Sequence, residues 1–253
     1  MLFTYERIKQ LNDLEFEVYN CVIKLGSSVL DMKIRQLADL AHVSTTVVLN
    51  FCKKMNCDGW TVFKIKYKES LQDKSLSYRL ITEPILDYLQ VHDKDKDKQK
   101  QIDDAVDLIN KARRVIFIGA GPSGVMAKYG ALYLSNLGKS TQYIDLPYYP
   151  IPMEDYDDVV VVALSISGET VSVIHRLTRF KELGAKLIAI TNAKGNTMSR
   201  LVDLPIFYHV PLEEFHISEK IAQFHINLTT QIPVMHLIET IAKKYHGRVM
   251  TTL

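Results

Sequence analysis

The 253-residue chain is poor in cysteine: Cys21, Cys52 and Cys57 are odd in number and confined to the first quarter. That excludes a disulfide framework and fits reduced thiols. Cys52 and Cys57 are spaced more widely than the CxxC pairs of zinc sites, with only His42 near in sequence, so no metal site is expected. No apolar run approaches the ~20 residues of a membrane span, and the opening MLFTYERIKQ lacks a signal-peptide core. No membrane contact and a cytoplasmic location are therefore expected. A net charge of +2 selects no partner, while 47% hydrophobic content is enough for a core in one large or two modest domains.

Against these absences, one stretch carries the most chemistry. Residues 159–170 read VVVVALSISGET, an apolar run that stops in hydroxyls and a glycine. Without polar alternation the run suits a central parallel strand covered on both faces. Ser165, Ser167, Gly168 and Thr170 then fall in the loop and first helical turn, where free N–H groups and the positive dipole end favour phosphate. Capping of the next helix by Ser167 or Thr170 explains the same residues equally well.

Earlier in the chain, apolar residues recur at helical spacing from Leu14 to Leu25, with Gly26 as the stop, and again over Lys33–Leu40 and Ser44–Met55. A small Ala38 at the crossing, Val43 in the turn, and Val48 and Phe51 facing inward match a helix-turn-helix. Ser44 is a good N-cap, and Thr45, Thr46, Leu49, Asn50 and Lys53 look outward. Short hydroxyls and amides there can reach base edges, while Lys53 and Lys54 can meet phosphates of duplex DNA. A plain helical hairpin with a solvated face is the competing reading. Lys64, Lys66 and Lys68 recur every second residue, so a helix spreads them round its axis.

Leu76–Val91 reads as helix interrupted by Pro84, and the charged HDKDKDKQK at 92–100 as a linker or a solvated helix start. From Gln101 helix and strand alternate. Helices are expected over Ile102–Ala112, over Ser123–Leu137 and before Gly184; strands over Arg114–Ile118, Thr141–Asp145, Val159–Leu164, Lys186–Thr191 and near Pro205–Val210. The chain should end in helix, capped by Ser218, running through Ile221, Phe224 and Leu228, kinked or restarted at Pro233, and closing over Val234–Tyr245 before Gly247. The expected architecture is multidomain, α and α/β: a helix-turn-helix domain over 1–76, a linker over 77–100, and over 101–253 a five-stranded parallel sheet flanked by helices. A flavodoxin-like order 2-1-3-4-5 would put the loops after strands one and three at the switch point.

VIFIGAGPSG, at 115–124, contains a G-x-G-x-x-G in Gly119, Gly121 and Gly124, and Asp145 stands where a dinucleotide fold keeps its ribose acid. Two features count against a nicotinamide cofactor: a hydroxyl, Ser123, in that loop, and a second hydroxyl-rich loop that such a fold does not require. Ser123 facing Ser165, Ser167 and Thr170 would make a phosphate-sized pocket, and no cofactor is expected.

Two resemblances follow from these residues. VSTTVVLNFCKKMNCDGWTVFKIKY resembles the N-terminal domain of RpiR-type transcription regulators at Val43, Ser44, Phe51, Cys52, Lys53, Lys54, Gly59, Trp60, Phe63 and Lys64. Asn50 replaces the family's usual Arg, removing a charge and a bidentate guanine reader; Val47 and Asn56 replace the common Thr and Gly. The second half resembles the SIS (sugar isomerase) domain through its G-x-G-x-S loop, Gly119–Ser123, its S-x-S-G-x-T loop, Ser165–Thr170, and ELGAKLIAITN at 182–192.

By that resemblance Gly121, Ser123, Ser165, Ser167, Gly168 and Thr170 hold the phosphate of a phosphosugar, and Glu219 falls near an acidic sugar contact. A first-turn Glu favoured by the helix dipole explains Glu219 as well. His175, His216 and His225 read as packed or solvated. Together the resemblances imply a non-enzymatic transcription regulator of carbohydrate or amino-sugar metabolism, whose hold on a double-stranded operator is modulated by a phosphosugar effector. A palindromic operator and a homodimer or homotetramer joined through the apolar tail Ile221–Ala242 are expected. The alternative is a phosphosugar isomerase using Glu219 and a histidine as acid and base.

Overall fold

The computed structural model describes residues 2–72, 85–86, 88–90, 95–145, 150–192, 194–210, 212–216 and 225–252. They form two compact units, Met1–Val91 with His209–Thr230, and His92–Tyr208 with Gln231–Leu253. Ser218, Glu219, Ile221, Phe224 and the stretch 76–84 lie outside the described residues.

The first unit is built from helices α1 (Tyr5–Lys9), α2 (Asp13–Leu25), α3 (Ile34–Leu40), α4 (Thr45–Lys54) and α5 (Trp60–Gln72), with a 3-10 turn over Gly26–Asp31. A capping box starts α2: the Glu15 N–H donates to Asn12 Oδ1 and the Asn12 N–H to Glu15 Oε2, both at 2.9 Å. Leu37, Val48, Phe51 and Phe63 are fully buried, and Phe63 stacks between Trp60 at 5.4 Å and Tyr67 at 5.8 Å. These rings join buried aliphatic side chains such as Ile8, Val18, Val22, Val29 and Met55 in the apolar core of the unit. The helix-turn-helix forms where expected. Ala38 is buried at the crossing, the turn closes through the Val43 N–H on the Ala38 carbonyl at 2.9 Å, and Ser44 Oγ accepts the Val47 N–H.

In the second unit the sheet runs β2 (Thr141–Ile144), β1 (Arg114–Gly119), β3 (Val159–Leu164), β4 (Lys186–Thr191), β5 (Leu204–Phe207), all parallel, in the order expected. All six residues of β3 are buried, which is why its sequence shows no alternation. One sheet face packs Ile116, Ile118, Val161, Ala163, Leu187 and Ala189 against Val173, Leu177 and Phe180 of α8 (Val171–Glu182) and Met198 of α9 (Thr197–Leu201). On the other side α7 (Pro122–Ser135) packs on β1 and β2, α6 (Lys96–Lys111) against β5, and α10 (Ile232–Thr252) against α6 and α7.

Three details differ from the periodicity or resolve its alternatives. The charged stretch from 96 onward is the start of α6, with Asp95 capping the Asp97 and Lys98 N–H groups. The helix expected through Leu228 is replaced at its described end by strand β7 (His225–Asn227), paired antiparallel with β6 (Glu214–His216). There Asn227 Oδ1 takes the Thr229 N–H and Thr229 Oγ1 takes the Glu213 N–H, side-chain bonds that compete with helix. The apolar tail Ile221–Ala242 is thus not one helix, and α10 restarts beside Pro233, where a missing N–H costs nothing. It also runs through Gly247 to Thr252, held to α6 by Lys244 on Asp103 at 2.8 Å and by Arg248 on Asp107.

Candidate functional site

Gly119 at the end of β1 lies opposite Leu164 at the end of β3, so the loops that follow leave the same edge of the sheet side by side. At Gly121 the backbone turns through φ 55° into α7, a conformation glycine adopts without strain. A β-carbon at Gly119 would sit 2.5 Å from the Ser123 carbonyl oxygen. The strand-to-helix turn itself therefore demands the glycines, and the G-x-G pattern needs no dinucleotide to explain it. Ser123 and Ser165 are buried, Thr170 is half-buried, and Gly121 and Ser167 are exposed.

The hydroxyls of the second loop are tied to one another. Ser165 Oγ and Thr170 Oγ1 share a hydrogen bond at 2.8 Å, and Ser165 Oγ also accepts the Gly168 N–H at 3.1 Å. Ser167 Oγ accepts the Glu169 N–H at 3.2 Å. Thr170 occupies the N-cap position of α8, yet its side chain makes no cap bond, and α7 likewise begins at Gly121 without one. Neither Ser167 nor Thr170 acts as the cap. Two helix starts on adjacent strands thus present N–H groups unclaimed by capping side chains beside clustered hydroxyls, an arrangement suited to a tetrahedral oxyanion.

A third segment, which leaves the end of β4, holds the second loop in shape. Thr191 Oγ1 and the Asn192 N–H both donate to the Ile166 carbonyl at 3.1 Å. The Met198 N–H donates to the Gly168 carbonyl at 3.0 Å, and the Thr197 N–H to Glu169 Oε1 at 2.7 Å. Asn196, buried, donates to Thr191 Oγ1 at 3.1 Å and caps α9 through the Ser199 N–H. An N-T pair after a strand is an N-cap signature that could have marked Asn196. Glu219 lies outside the described residues, and His175 is exposed on α8.

At and along α4, Ser44, Thr46, Leu49, Asn50 and Lys53 are exposed and Thr45 is half-buried, with the hydroxyls of Ser44, Thr45 and Thr46 at the helix start and Lys53 near its end. Lys54 is different. Expected to meet phosphate, its ammonium instead pairs with the buried Glu15 carboxylate and donates to the Gln10 carbonyl at 2.8 Å. A charge with a buried partner is held inward by the cost of stranding that partner. Lys64 donates to the Leu30 carbonyl at 2.9 Å and Lys66 to the Asn56 carbonyl at 2.7 Å, so these two lysines of the basic run brace their own unit. Cys52 and Cys57 are buried, burial pushes the Cys52 thiol up to about 12, and no cluster of potential metal ligands occurs among the described residues. Among those residues, no helix is long and apolar enough to cross a membrane.

A helix-turn-helix unit in one chain with a doubly wound parallel sheet, hydroxyl loops at its switch point, defines a class of two-part proteins. The chain belongs to the SIS-domain family, whose family model matches residues 108–237, and is of the RpiR type, the helix-turn-helix domain of the rpiR family matching residues 5–74. The bifunctional protein glk of Paraburkholderia xenovorans is 24% identical over 278 residues, covering 96% of this chain and 43% of that protein. The chain therefore spans less than half the length of that relative. The uncharacterized HTH-type transcriptional regulator YbbH of Bacillus subtilis is 28% identical over 194 residues, 70% of this chain and 68% of the regulator. NanR of Vibrio vulnificus, solved in complex with ManNAc-6P, shares the fold at a TM-score of 0.52 and 18% identity, covering 98% of this chain and 96% of NanR.

Proposed function

We propose that this chain is a DNA-binding transcription regulator of carbohydrate or amino-sugar metabolism, and that a phosphosugar bound by the SIS domain modulates its hold on a double-stranded operator. In this reading residues 1–76 are the reader, 77–100 the connection and 101–253 the sensor. Gly121, Ser123, Ser165, Ser167, Gly168 and Thr170 take the phosphate, and Glu219 contacts the sugar. Ser44, Thr45, Thr46, Leu49, Asn50 and Lys53 meet the operator, with Lys54 acting through its brace on Glu15. The protein works in the cytoplasm as a homodimer or homotetramer on a palindromic site, and does not turn its ligand over.

One observation carries the reading: the buried Ser165 hydroxyl, bonded to Thr170, beside a helix start that no side chain caps. Such a site suits the binding of a phosphate-like anion. The fold relative NanR holds ManNAc-6P, which makes an amino-sugar phosphate the first ligand to test. Fluorescence anisotropy on the promoter of the chain's own operon, with and without ManNAc-6P and other phosphosugars, tests both halves. A shift in DNA affinity by one of them, lost in Ser167→Ala, is expected. No DNA binding even at low salt would end the regulatory reading, and turnover of a phosphosugar abolished by Glu219→Gln would favour an isomerase.

A further inference from the structure

Every strand of the large sheet is parallel, so the loops after β1, β3 and β4 leave one edge together. The loop after β4, residues 192–196, is tied at both ends to the hydroxyl loop Ser165–Thr170. At its start the Asn192 N–H donates to the Ile166 carbonyl at 3.1 Å, continuing the register in which the Ser165 N–H meets the Ile190 carbonyl at 3.3 Å. At its end the Asn196 side chain lies against Gly168, and the Met198 N–H donates to the Gly168 carbonyl at 3.0 Å. Lys194 stands midway, two residues from Asn192 and from Asn196, and so no more than about 7 Å from either along the chain. It is exposed, and no described residue holds its ammonium. Its basic neighbours are engaged: Lys181 donates to the Leu201 carbonyl at 2.6 Å and Arg200 to the Gly195 carbonyl.

The charge around the pocket gives that lysine a task. Asp145 ends β2 beside the first turn of α7, its β-carbon 3.1 Å from where a β-carbon on Gly124 would stand, and Glu169 lies within the second loop, its carboxylate on the Thr197 N–H at 2.7 Å. Two carboxylates therefore share this edge with a phosphate that itself carries about −1.5 to −2 at neutral pH. The starts of α7 and α8 return only about +0.5 each. Among the described residues of the loops at this edge, Lys194 is the one lysine or arginine. We propose, resting on the reading of this pocket as a phosphosugar site, that Lys194 is the counter-charge of the ligand's phosphate, its ammonium reaching across the hydroxyl loop to a phosphate oxygen. A flexible four-carbon stem with three rotatable donors suits that reach, because the anchors on Ile166 and Gly168 fix the backbone and leave only the side chain to adjust. The hydroxyls and N–H groups set where the phosphate sits, and Lys194 makes its charge acceptable there.

The test titrates the full chain calorimetrically with ManNAc-6P and with inorganic phosphate. Lys194→Ala and Lys194→Gln are each expected to bind both probes about tenfold more weakly than the parent, the worth of one charge-assisted hydrogen bond, and Lys194→Arg to stay within about threefold. Added salt should weaken the parent more than Lys194→Ala. The unfolding midpoints of the free proteins should agree, since the exposed side chain holds nothing in the fold. Lys186→Ala is the control: it removes the same charge from the opposite end of β4, more than a Debye length of about 10 Å away, and should leave both affinities within about twofold. A Lys194→Ala protein that binds both probes as the parent does, while Ser167→Ala binds them more weakly, overturns the role of Lys194 and leaves the phosphosugar pocket standing. An equal loss in Lys186→Ala overturns it too, because the effect would then be one of net charge. A parent that binds neither probe at millimolar concentration sinks the pocket and Lys194 with it.

Discussion

The Asn196 side chain fills the space that a β-carbon on Gly168 would need: such a carbon would lie 2.1 Å from the Asn196 carboxamide carbon, on a backbone at φ 67°. Gly168→Ala therefore meets both a steric clash and a left-handed conformation that alone costs about 1–2 kcal/mol. A loss of about 2–4 kcal/mol is expected from urea unfolding, together with loss of phosphosugar binding. Adding Asn196→Ala should return part of it, with a coupling of at least about 1 kcal/mol in the double-mutant cycle. Additive single effects would mean the two residues do not share this space.

Ser165 and Ser167 should separate stability from binding. Ser165 is buried and answers both the Gly168 N–H and the Thr170 hydroxyl, so Ser165→Ala is expected to cost about 1–3 kcal/mol by stranding them. Ser167 is exposed, and Ser167→Ala should stay within about 0.5 kcal/mol of the parent. Its phosphosugar affinity should nevertheless fall about tenfold, the worth of one charge-assisted hydrogen bond. Thermal unfolding and calorimetric titration with ManNAc-6P distinguish the two. A Ser167→Ala protein that binds as the parent does would remove that serine from the pocket.

Strands β3 and β4 could be read from the sequence to the residue, because a run buried on both faces has no polar interruption and ends where hydroxyls or a glycine begin. The helix-turn-helix was equally legible, since Ser44, Ala38 and Phe51 each satisfy a local rule that the tertiary contacts also obey. What the pattern hid depends on partners distant in sequence. Lys54 looks like a surface lysine until Glu15, on another helix, is seen beneath it. Asn196 looks like a helix cap, and it is one, but its contact with Gly168 across the sheet edge has no local signature. The strand His225–Asn227 was missed because apolar spacing outweighed the Thr229 and Asn227 side chains that divert the backbone.

Lys53 and Lys54, adjacent in sequence, are expected to behave oppositely. Lys53 is exposed near the end of α4, so Lys53→Ala should weaken DNA binding across sequences and lower the slope of log affinity against log salt by about 1. Lys54→Ala removes the partner of a buried carboxylate, and its main effect should be on stability, about 1–3 kcal/mol, with the salt slope nearly unchanged. Glu15→Gln should restore part of that stability in the Lys54→Ala background, because it neutralises the stranded charge. Equal salt slopes for the two alanine variants would show that Lys54 reaches phosphate after all.

Alkaline pH should destabilise the folded chain. Burial pushes the Cys52 thiol from 9.0 up to about 12 and the Tyr67 phenol from 10.0 up to about 12, and it raises Tyr19 well above 10.0. Each group keeps its proton in the folded chain at a pH where the unfolded chain has given it up. The unfolded state thus binds fewer protons, and stability falls as pH rises, beginning near 9 for the thiol and near 10 for the phenols and levelling off above the folded values. Each group contributes a slope of about 1.4 kcal/mol per pH unit inside its window. Urea midpoints at pH 7.5, 9, 10 and 11 should be flat at first and then decline with increasing steepness, and Cys52→Ala should make the fall between 9 and 10 shallower. A midpoint that holds constant to pH 11 would mean these groups ionise in the folded chain as readily as in the unfolded one.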